Sequence, residues 1–273
     1  MIENHAQNPT LSVVVICYNH AAFIQDTLEG ILNQVHGFSM EILVFDDAST
    51  DATVEVVNQI QKEHPKGNKI ILKAHQKNKG MLANFTEAIE QASGRFIALC
   101  EGDDYWMAQD KIQTQIGFLE MNKDHSAVAS HIIHVDVSKT LLTDEWPNIH
   151  EQTSIDFRMI GCEYPVPTCT LVFRNGLSLY TLKRIKKVSG VLGDYPLITD
   201  LLLQGKIAVL PQKMAAYRHH TDSNFSSSNL SDMVSRGLLT RKKITLGLLV
   251  RFKWISAAIC VKNTIRFKRK YRQ

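Results

Sequence analysis

The strongest constraint on the fold is a regular alternation of short apolar runs with amphipathic segments along the first 121 residues. Four apolar, β-branched runs predict buried strands, at residues 11–17, 40–45, 69–73 and 95–100. After each run, apolar residues recur at helical spacing, which predicts helices at 21–34, 52–63, 81–92 and 110–121. Such alternation predicts an α/β fold with a mostly parallel, Rossmann-like sheet flanked by helices.

The pattern is less regular in the second half of the chain. Apolar runs predict strands at 127–137, 168–173 and 207–210, and a helix at 191–204. Residues 141–151 read as a loop, and a Ser/Asn-rich loop follows at 221–229. No internal repeat is visible, so the sequence predicts one α/β domain over residues 1–230.

The charge of the chain is unevenly distributed. Residues 231–273 contain twelve Lys or Arg and one acid, Asp232, whereas the remainder has more acids than bases. We therefore expect a basic, helical C-terminal extension with an anionic partner: a membrane surface, nucleic acid or the acidic body itself. Arg251 and Lys253 interrupt its apolar stretch, so this stretch is a poor membrane span and favours a surface-lying helix. A helix packed on the body with its basic face in solvent is the alternative.

Composition also bears on the cellular compartment. Residues 1–10 are polar and do not resemble a signal peptide. The five cysteines form no CxxC pair, and we expect reduced, mostly buried thiols; they are Cys17, Cys100, Cys162, Cys169 and Cys260. These features predict a cytoplasmic protein, and the basic extension suggests peripheral attachment to the inner face of the cytoplasmic membrane.

Acidic residues follow two of the predicted strands directly. Asp46 and Asp47 end the second strand, and Glu101-Gly102-Asp103-Asp104 ends the fourth. Ligands of parallel sheets bind at the carboxyl ends of strands, so both clusters fall where a site is expected. Three acids within four residues repel one another unless a cation is present. Carboxylate oxygens are the ligands that Mg²⁺ and Mn²⁺ prefer, so the sequence predicts a divalent-metal site.

Several functional classes fit the sequence poorly. No GxGxxG follows the first strand and no GxxxxGK[ST] is present, which disfavours dehydrogenases and P-loop enzymes. The chain is longer than a phosphoreceiver domain, and its acids follow a different order. The basic extension lacks a recognised nucleic-acid module, and the acidic body would repel phosphates, so we expect no nucleic-acid partner. A non-catalytic nucleotide- or metal-binding regulator on a doubly wound sheet remains the alternative to an enzyme.

Five segments in order resemble the family 2 inverting glycosyltransferases, which have a GT-A fold. The resemblance spans about residues 11–225 and is carried by Ser12–Asn19, Phe45–Asp51, Asn78–Gly80 with Asn84, Glu101–Trp106, and Leu192–Tyr195 with Tyr217–His219. It implies transfer of a sugar, with inversion, from a nucleotide-sugar donor (UDP- or related) to a saccharide or lipid-linked saccharide acceptor. A degenerate, inactive member of the family is a further alternative.

The resemblance also assigns roles to individual positions. It implies that Asp103 binds Mn²⁺ or Mg²⁺ and that Asp194 is the general base. We assign His219 to the metal shell; His220 could instead complete this shell or contact phosphate, and a surface position for either histidine is the alternative. The resemblance places seven residues at the nucleotide-sugar, with Asp47 on the base: Tyr18, Asn19, Asp47, Asn84, Glu101, Gly102 and Asp104.

Two positions depart from the family's pattern. Ala48 stands where the family often has Gly, which predicts an ordinary backbone conformation in that turn. Gly193 stands where an acid is common, which leaves Asp194 as the only carboxylate there. Trp106, next to the acidic cluster, is expected to pack in the core rather than stack on a sugar.

Overall fold

The computed structural model describes residues 8–147, 151–159, 166–177, 181–183, 194–221, 238–239, 242 and 254–270. Within these residues ten strands form one mixed sheet. The strands are β1 Leu11–Cys17, β2 Met40–Asp46, β3 Ile70–Ala74, β4 Phe96–Glu101, β5 Tyr105–Trp106, β6 His125–Val135, β7 Leu141–Trp146, β8 Thr153–Ile155, β9 Val172–Arg174 and β10 Lys206–Arg218. The helices are α1 Ile24–Leu32, α2 Thr53–Glu63, α3 Met81–Gln91, α4 Lys111–Met121, α5 Asp194–Gln204 and α6 Trp254–Lys270.

The sheet has a parallel half and a mixed half. Strand order is β3-β2-β1-β4-β9-β6-β10-β5, with β7 paired to β6 and β8 to β10. The pairs β3/β2, β2/β1 and β1/β4 are parallel, as predicted from the alternating strands and helices. Beyond β4, β9 runs antiparallel to both β4 and β6, while β6 and β10 are parallel. The carboxyl ends of β1, β2, β4, β6 and β10 therefore share one edge of the sheet.

Alternating side chains of the strands feed two apolar layers. Val13 and Val15 of β1 face the layer covered by α1, α2 and α4, whereas Val14 faces the layer covered by α3 and α5. Complete burial of such side chains contributes about 1.5–3 kcal/mol each. The sheet is consequently held from both faces, and the loops at its edge rest on a rigid support.

Several predicted elements differ from the structure. Residues 141–151, expected to be a loop, contain β7, which forms a hairpin with β6. Leu141, Leu142 and Thr143 are all exposed, so this strand lacks the alternation that marks one buried face. The strand expected at 207–210 extends over Lys206–Arg218, with register shifts against β6.

The basic extension is described only in part. Its helix α6 runs over Trp254–Lys270, and Ala257 and Cys260 are buried in the second apolar layer. Over these residues α6 packs on the body, which is the alternative to a helix that only lies on a surface. No helix within the described ranges is long and apolar enough to cross a bilayer. Cys17, Cys100, Cys169 and Cys260 are buried free thiols, as predicted, whereas Cys162 lies outside the described residues.

Candidate active site

The acidic turn at the end of β4, residues Glu101–Asp104, packs directly against the turn after β1. The Gly102 amide donates to the carbonyl oxygen of Ile16 at 3.0 Å, which prolongs the β1/β4 ladder by one bond. A Cβ at Gly102 would lie 2.8 Å from both Cys17 Cβ and His20 Nδ1. Glycine is therefore required by close packing, and this contact fixes where the flanking carboxylates point.

Asp103 lies between two imidazoles. Its Oδ2 is 3.0 Å from His220 Nε2 and 3.8 Å from His20 Nε2. Burial raises the pKa of Asp103, but the His220 hydrogen bond and the charges of both histidines outweigh it, so this pKa lies below its ordinary value. Burial lowers the pKa of His20, although the charge of Asp103 opposes this. A carboxylate oxygen with two nearby imidazole nitrogens is a donor set that suits a divalent transition metal.

His220, rather than His219, is the histidine that lies beside Asp103 in the structure. His219, assigned to the metal shell, instead places Nε2 2.7 Å from His134 Nδ1 at the end of β6. Its neighbour His220 is the residue beside Asp103. Because successive side chains of an extended segment point in opposite directions, only one of the two histidines can face the acidic turn. His220, which the sequence offered as the second choice, occupies that position.

Asp104 and Glu101 are oriented toward the interior rather than toward Asp103's partners. A carboxylate oxygen of each, together with the Cys169 sulfur, falls within 4.8 Å of the other two. Burial, reinforced by the charges of Asp103 and Glu101, raises the pKa of Asp104 well above its ordinary value. Asp104 Oδ1 also accepts from the Arg218 amide at 2.9 Å, so this side chain ties the acidic turn to β10.

The turns after β1 and β2 are linked by side-chain hydrogen bonds. The Thr50 amide donates to Asn19 Oδ1 at 2.8 Å, and the Asn19 amide donates to Ser49 Oγ at 2.9 Å. Tyr18 is 43% exposed at the same edge, where its ring is open to a ligand. Ala48 has φ of 62°, so the expectation of an ordinary backbone there is wrong. The cost of this left-handed conformation, about 1–2 kcal/mol, is offset by the surrounding hydrogen bonds.

Asp47 organises the loop before α3. Its Oδ1 accepts from the Lys79 amide at 2.7 Å and its Oδ2 accepts from the Gly80 amide at 2.8 Å. Asn84 is buried and donates to the Phe45 carbonyl at 2.8 Å, and its Oδ1 lies 3.1 Å from His75 Nε2. Both side chains are thus engaged in contacts within the protein, and a nucleobase bound at Asp47 would have to share or replace the contacts of that carboxylate.

The predicted general base is placed at the start of a helix. Asp194 is the first residue of α5, but its side chain and residues 184–193, including Gly193, lie outside the described residues. Trp106 is buried and its Nε1 donates to the Cys169 carbonyl at 2.8 Å, which confirms the expected packing role.

No functional role was predicted for three residues that lie near Asp103. His20 and Phe23 follow β1, and Arg218 ends β10. The centroid of the Phe23 ring lies 4.9 Å from the centroid of the His220 ring. The same Phe23 centroid lies 4.8 Å from the guanidinium carbon of Arg218. The pairing of β10 with β5 brings Arg218 to the acidic turn. This pairing joins segments that are distant in the sequence, so no local pattern predicts it.

Comparison with known proteins shows one consistent family. The model of the family described as "Glycosyl transferase family 2" matches residues 12–180. The chain is 29% identical over 195 residues to the Escherichia coli UDP-Glc:alpha-D-GlcNAc-diphosphoundecaprenol beta-1,3-glucosyltransferase WfaP, with 71% of each chain covered. Mycobacterial relatives that match at 30% identity are longer, and the chain, with 80% of its own residues aligned, spans 61% of their length.

Solved structures show the same fold. Staphylococcus aureus TarS 1–349 in complex with UDP-GlcNAc superposes with a TM-score of 0.63 and 18% identity, over 86% of this chain and 66% of TarS. The Pyrobaculum calidifontis mannosyltransferase PcManGT, in complex with GDP-Man and Mn²⁺, gives 0.56 and 14% identity, over 97% of this chain and 76% of that one. At these identities the likeness concerns the fold alone, and it confirms the predicted GT-A architecture.

Proposed function

Since the chain belongs to glycosyltransferase family 2, we propose that it transfers a sugar from a nucleotide-sugar donor to a saccharide or lipid-linked saccharide acceptor. The observation that carries the proposal is the placement of Asp103 at the carboxyl end of β4. There it lies within 4 Å of two imidazoles, on the edge that also carries Asp47 and Tyr18. Nucleotide-sugar complexes of TarS and PcManGT, which share the fold, support this class of donor.

We infer that Asp103 and His220 hold Mn²⁺ or Mg²⁺. The carboxylate oxygen and imidazole nitrogen together suit Mn²⁺, whereas Mg²⁺ would rely on the carboxylate with phosphate oxygens and water. A bound divalent cation neutralises the negative charge that develops on the leaving diphosphate. The Mn²⁺ in the PcManGT complex supports a metal in this fold. His20, 3.8 Å from the same carboxylate oxygen, is positioned to contact the metal shell or the diphosphate.

We assign nucleoside binding and the general base to further residues at the same edge of the sheet. Asp47 and Tyr18 line the proposed nucleoside pocket. The Asp47 carboxylate also holds the Lys79–Gly80 backbone in place by accepting hydrogen bonds from both amides. Inversion needs a base that removes the acceptor hydroxyl proton, and we assign this to Asp194 at the start of α5. Loss of such a base typically costs two to four orders of magnitude in rate.

The acceptor is proposed to be lipid-linked and reached at a membrane surface. WfaP, a relative, is named for a diphosphoundecaprenol acceptor. The twelve basic residues of 231–273 would attract anionic lipid, and α6 exposes the apolar side chains of Val261 and Ile265. Sedimentation with anionic vesicles tests this: binding at low salt that weakens with added salt is expected, and no binding at low salt contradicts it.

A panel of nucleotide-sugars tests the proposed reaction. Wild-type protein with Mn²⁺ or Mg²⁺ should release nucleoside diphosphate from at least one donor, faster when an acceptor saccharide or lipid-linked saccharide is added. Asp194→Asn should lower kcat by about 10²–10⁴-fold with little change in the donor's KM. Donor binding without turnover in wild-type protein would instead favour a non-catalytic nucleotide-binding regulator.

A further inference from the structure

The guanidinium of Arg218 is a buried cation beside the candidate active site. Its side chain is 2% exposed, and it lies between the rings of Phe23 and Tyr105, at 4.8 and 5.2 Å from their centroids. Burial of a charge is costly unless the charge is paired and hydrogen-bonded. Because the side chain is enclosed on both faces, its role must be exerted through the groups that it contacts.

Those groups belong to the acidic turn and to α1. Arg218 Nε donates to the carbonyl oxygen of Asp103 at 3.0 Å, and Nη2 donates to Asp26 Oδ2 at 2.8 Å. The other oxygen of Asp26 accepts from Lys139 Nζ in the β6–β7 turn at 2.7 Å. Burial raises the pKa of Asp26, but the two cationic partners outweigh it and hold this pKa below its ordinary value. One carboxylate therefore joins two cations from different elements.

Arg218 lies at the end of β10, between the acidic turn and His220. The β5/β10 ladder ends at the pair Ala216 and Tyr105, whereas the pairing of β10 with β6 continues to Arg218 and Val135. On the side of β5, the Arg218 side chain and its amide, which donates to Asp104 Oδ1, therefore join the end of β10 to the acidic turn. His220 follows only two residues later and places Nε2 3.0 Å from Asp103 Oδ2. Arg218 thus contacts Asp103 directly and lies two residues before His220, whose preceding residue, His219, donates its amide to the Val135 carbonyl.

We propose that Arg218, braced by Asp26, is a positioning residue that sets the Asp103–His220 geometry and so the affinity of this pair for a divalent cation. The proposal rests on the function proposed above for Asp103 and His220. Residues that orient metal ligands typically change affinity by 10–100-fold when they are altered. A lysine cannot replace the arginine, because one ammonium cannot reproduce the planar fork that reaches Asp103 and Asp26 together.

The test measures Mn²⁺ binding directly, by calorimetry or by the electron paramagnetic resonance of free Mn²⁺, on the full chain. Asp26→Asn keeps the size of the side chain and removes its charge, and Arg218→Lys keeps the charge and removes the fork. Asp124→Asn is the matched control, since Asp124 also pairs with a lysine, Lys206 at 2.9 Å, but on an exposed surface. We expect the Mn²⁺ Kd to rise about 10–100-fold in both test variants and to stay unchanged in the control.

Circular dichroism and Tm separate positioning from general destabilisation. A merely structural role would lower Tm and leave the Kd of the folded protein unchanged, and that result in both variants would overturn the proposal. Asp103→Asn shows whether the underlying site is right. If wild-type protein binds no Mn²⁺, or Asp103→Asn binds it as tightly as wild type, the proposed function of Asp103 fails instead.

Discussion

Replacing Gly102 with alanine tests how tightly the acidic turn is packed. The added Cβ would lie 2.8 Å from Cys17 Cβ and His20 Nδ1 and 3.1 Å from the Ile16 carbonyl oxygen. Two of these contacts involve β1, which is held between β2 and β4 and cannot retreat. The turn must therefore shift, carrying Asp103 away from His20 and His220. Overpacking of this kind costs about 1–3 kcal/mol.

The measurements for Gly102→Ala are thermal unfolding and Mn²⁺ titration. Tm should fall by several degrees, at about 2–4 °C per kcal/mol for a domain of this order of size. The Mn²⁺ Kd should rise by about tenfold or more, as expected when metal ligands are misoriented. Gly117→Ala in α4 is the control, because nothing lies within 4 Å of its Cβ position, and helix propensity should raise stability by about 0.5–1 kcal/mol. Unchanged Tm and Mn²⁺ affinity in Gly102→Ala would refute the packing argument.

Three further substitutions test other parts of the account. Gly80→Ala should lower the free energy of unfolding by about 1–3 kcal/mol in urea titrations, because φ is 85° at this position. Nothing lies within 4 Å of the Cβ position at either Gly80 or Gly37, and Gly37 has no positive φ, so Gly37→Ala should have a smaller effect. Ala48→Gly should relieve a left-handed alanine and raise Tm, with a gain of about 1 kcal/mol or less, and a lower Tm would contradict the strain. Burial lowers the pKa of Lys111 from 10.5 to about 7. Between pH 7 and 10.5 the unfolded chain therefore holds a proton on Lys111 that the folded chain has released. The free energy of unfolding consequently rises with pH over this range because of Lys111. Lys111→Met should therefore be more stable than wild type at pH 7, with the advantage shrinking toward pH 9 by at most about 1.4 kcal/mol per unit, and an advantage independent of pH would contradict the assignment.

The parallel half of the fold was predictable because β1, β2 and β4 are buried on both faces and the helices between the strands each have one apolar side. Those patterns depend on local sequence, and β1, α2 and α3 begin and end within one residue of the predicted bounds. The second half depends on pairing instead. The exposure of Leu141 and Leu142 hides β7 from any test of periodicity.

The candidate site divides in the same way. Asp47 and Asp103 follow buried strands directly, and their position at the sheet edge comes from topology that the sequence indicates. His220, in contrast, was distinguishable from His219 only after the direction of the chain beyond β10 was known. Arg218 acts across the β5/β10 pairing, which joins residues more than a hundred positions apart. Ala48 shows a further limit, because hydrogen bonds within its turn and to the turn after β1 hold a backbone conformation that its residue type disfavours.

Metal-dependent turnover of a nucleotide-sugar by Asp103→Asn is the most direct test of the central claim. The substitution keeps the volume of the side chain and removes the charge that a divalent cation requires. Asp110→Asn, at an exposed position before α4, is the matched control. The account predicts that Asp103→Asn stays folded but loses Mn²⁺- or Mg²⁺-dependent release of nucleoside diphosphate by at least about 100-fold, while Asp110→Asn retains it. Full metal-dependent turnover by Asp103→Asn would contradict the account.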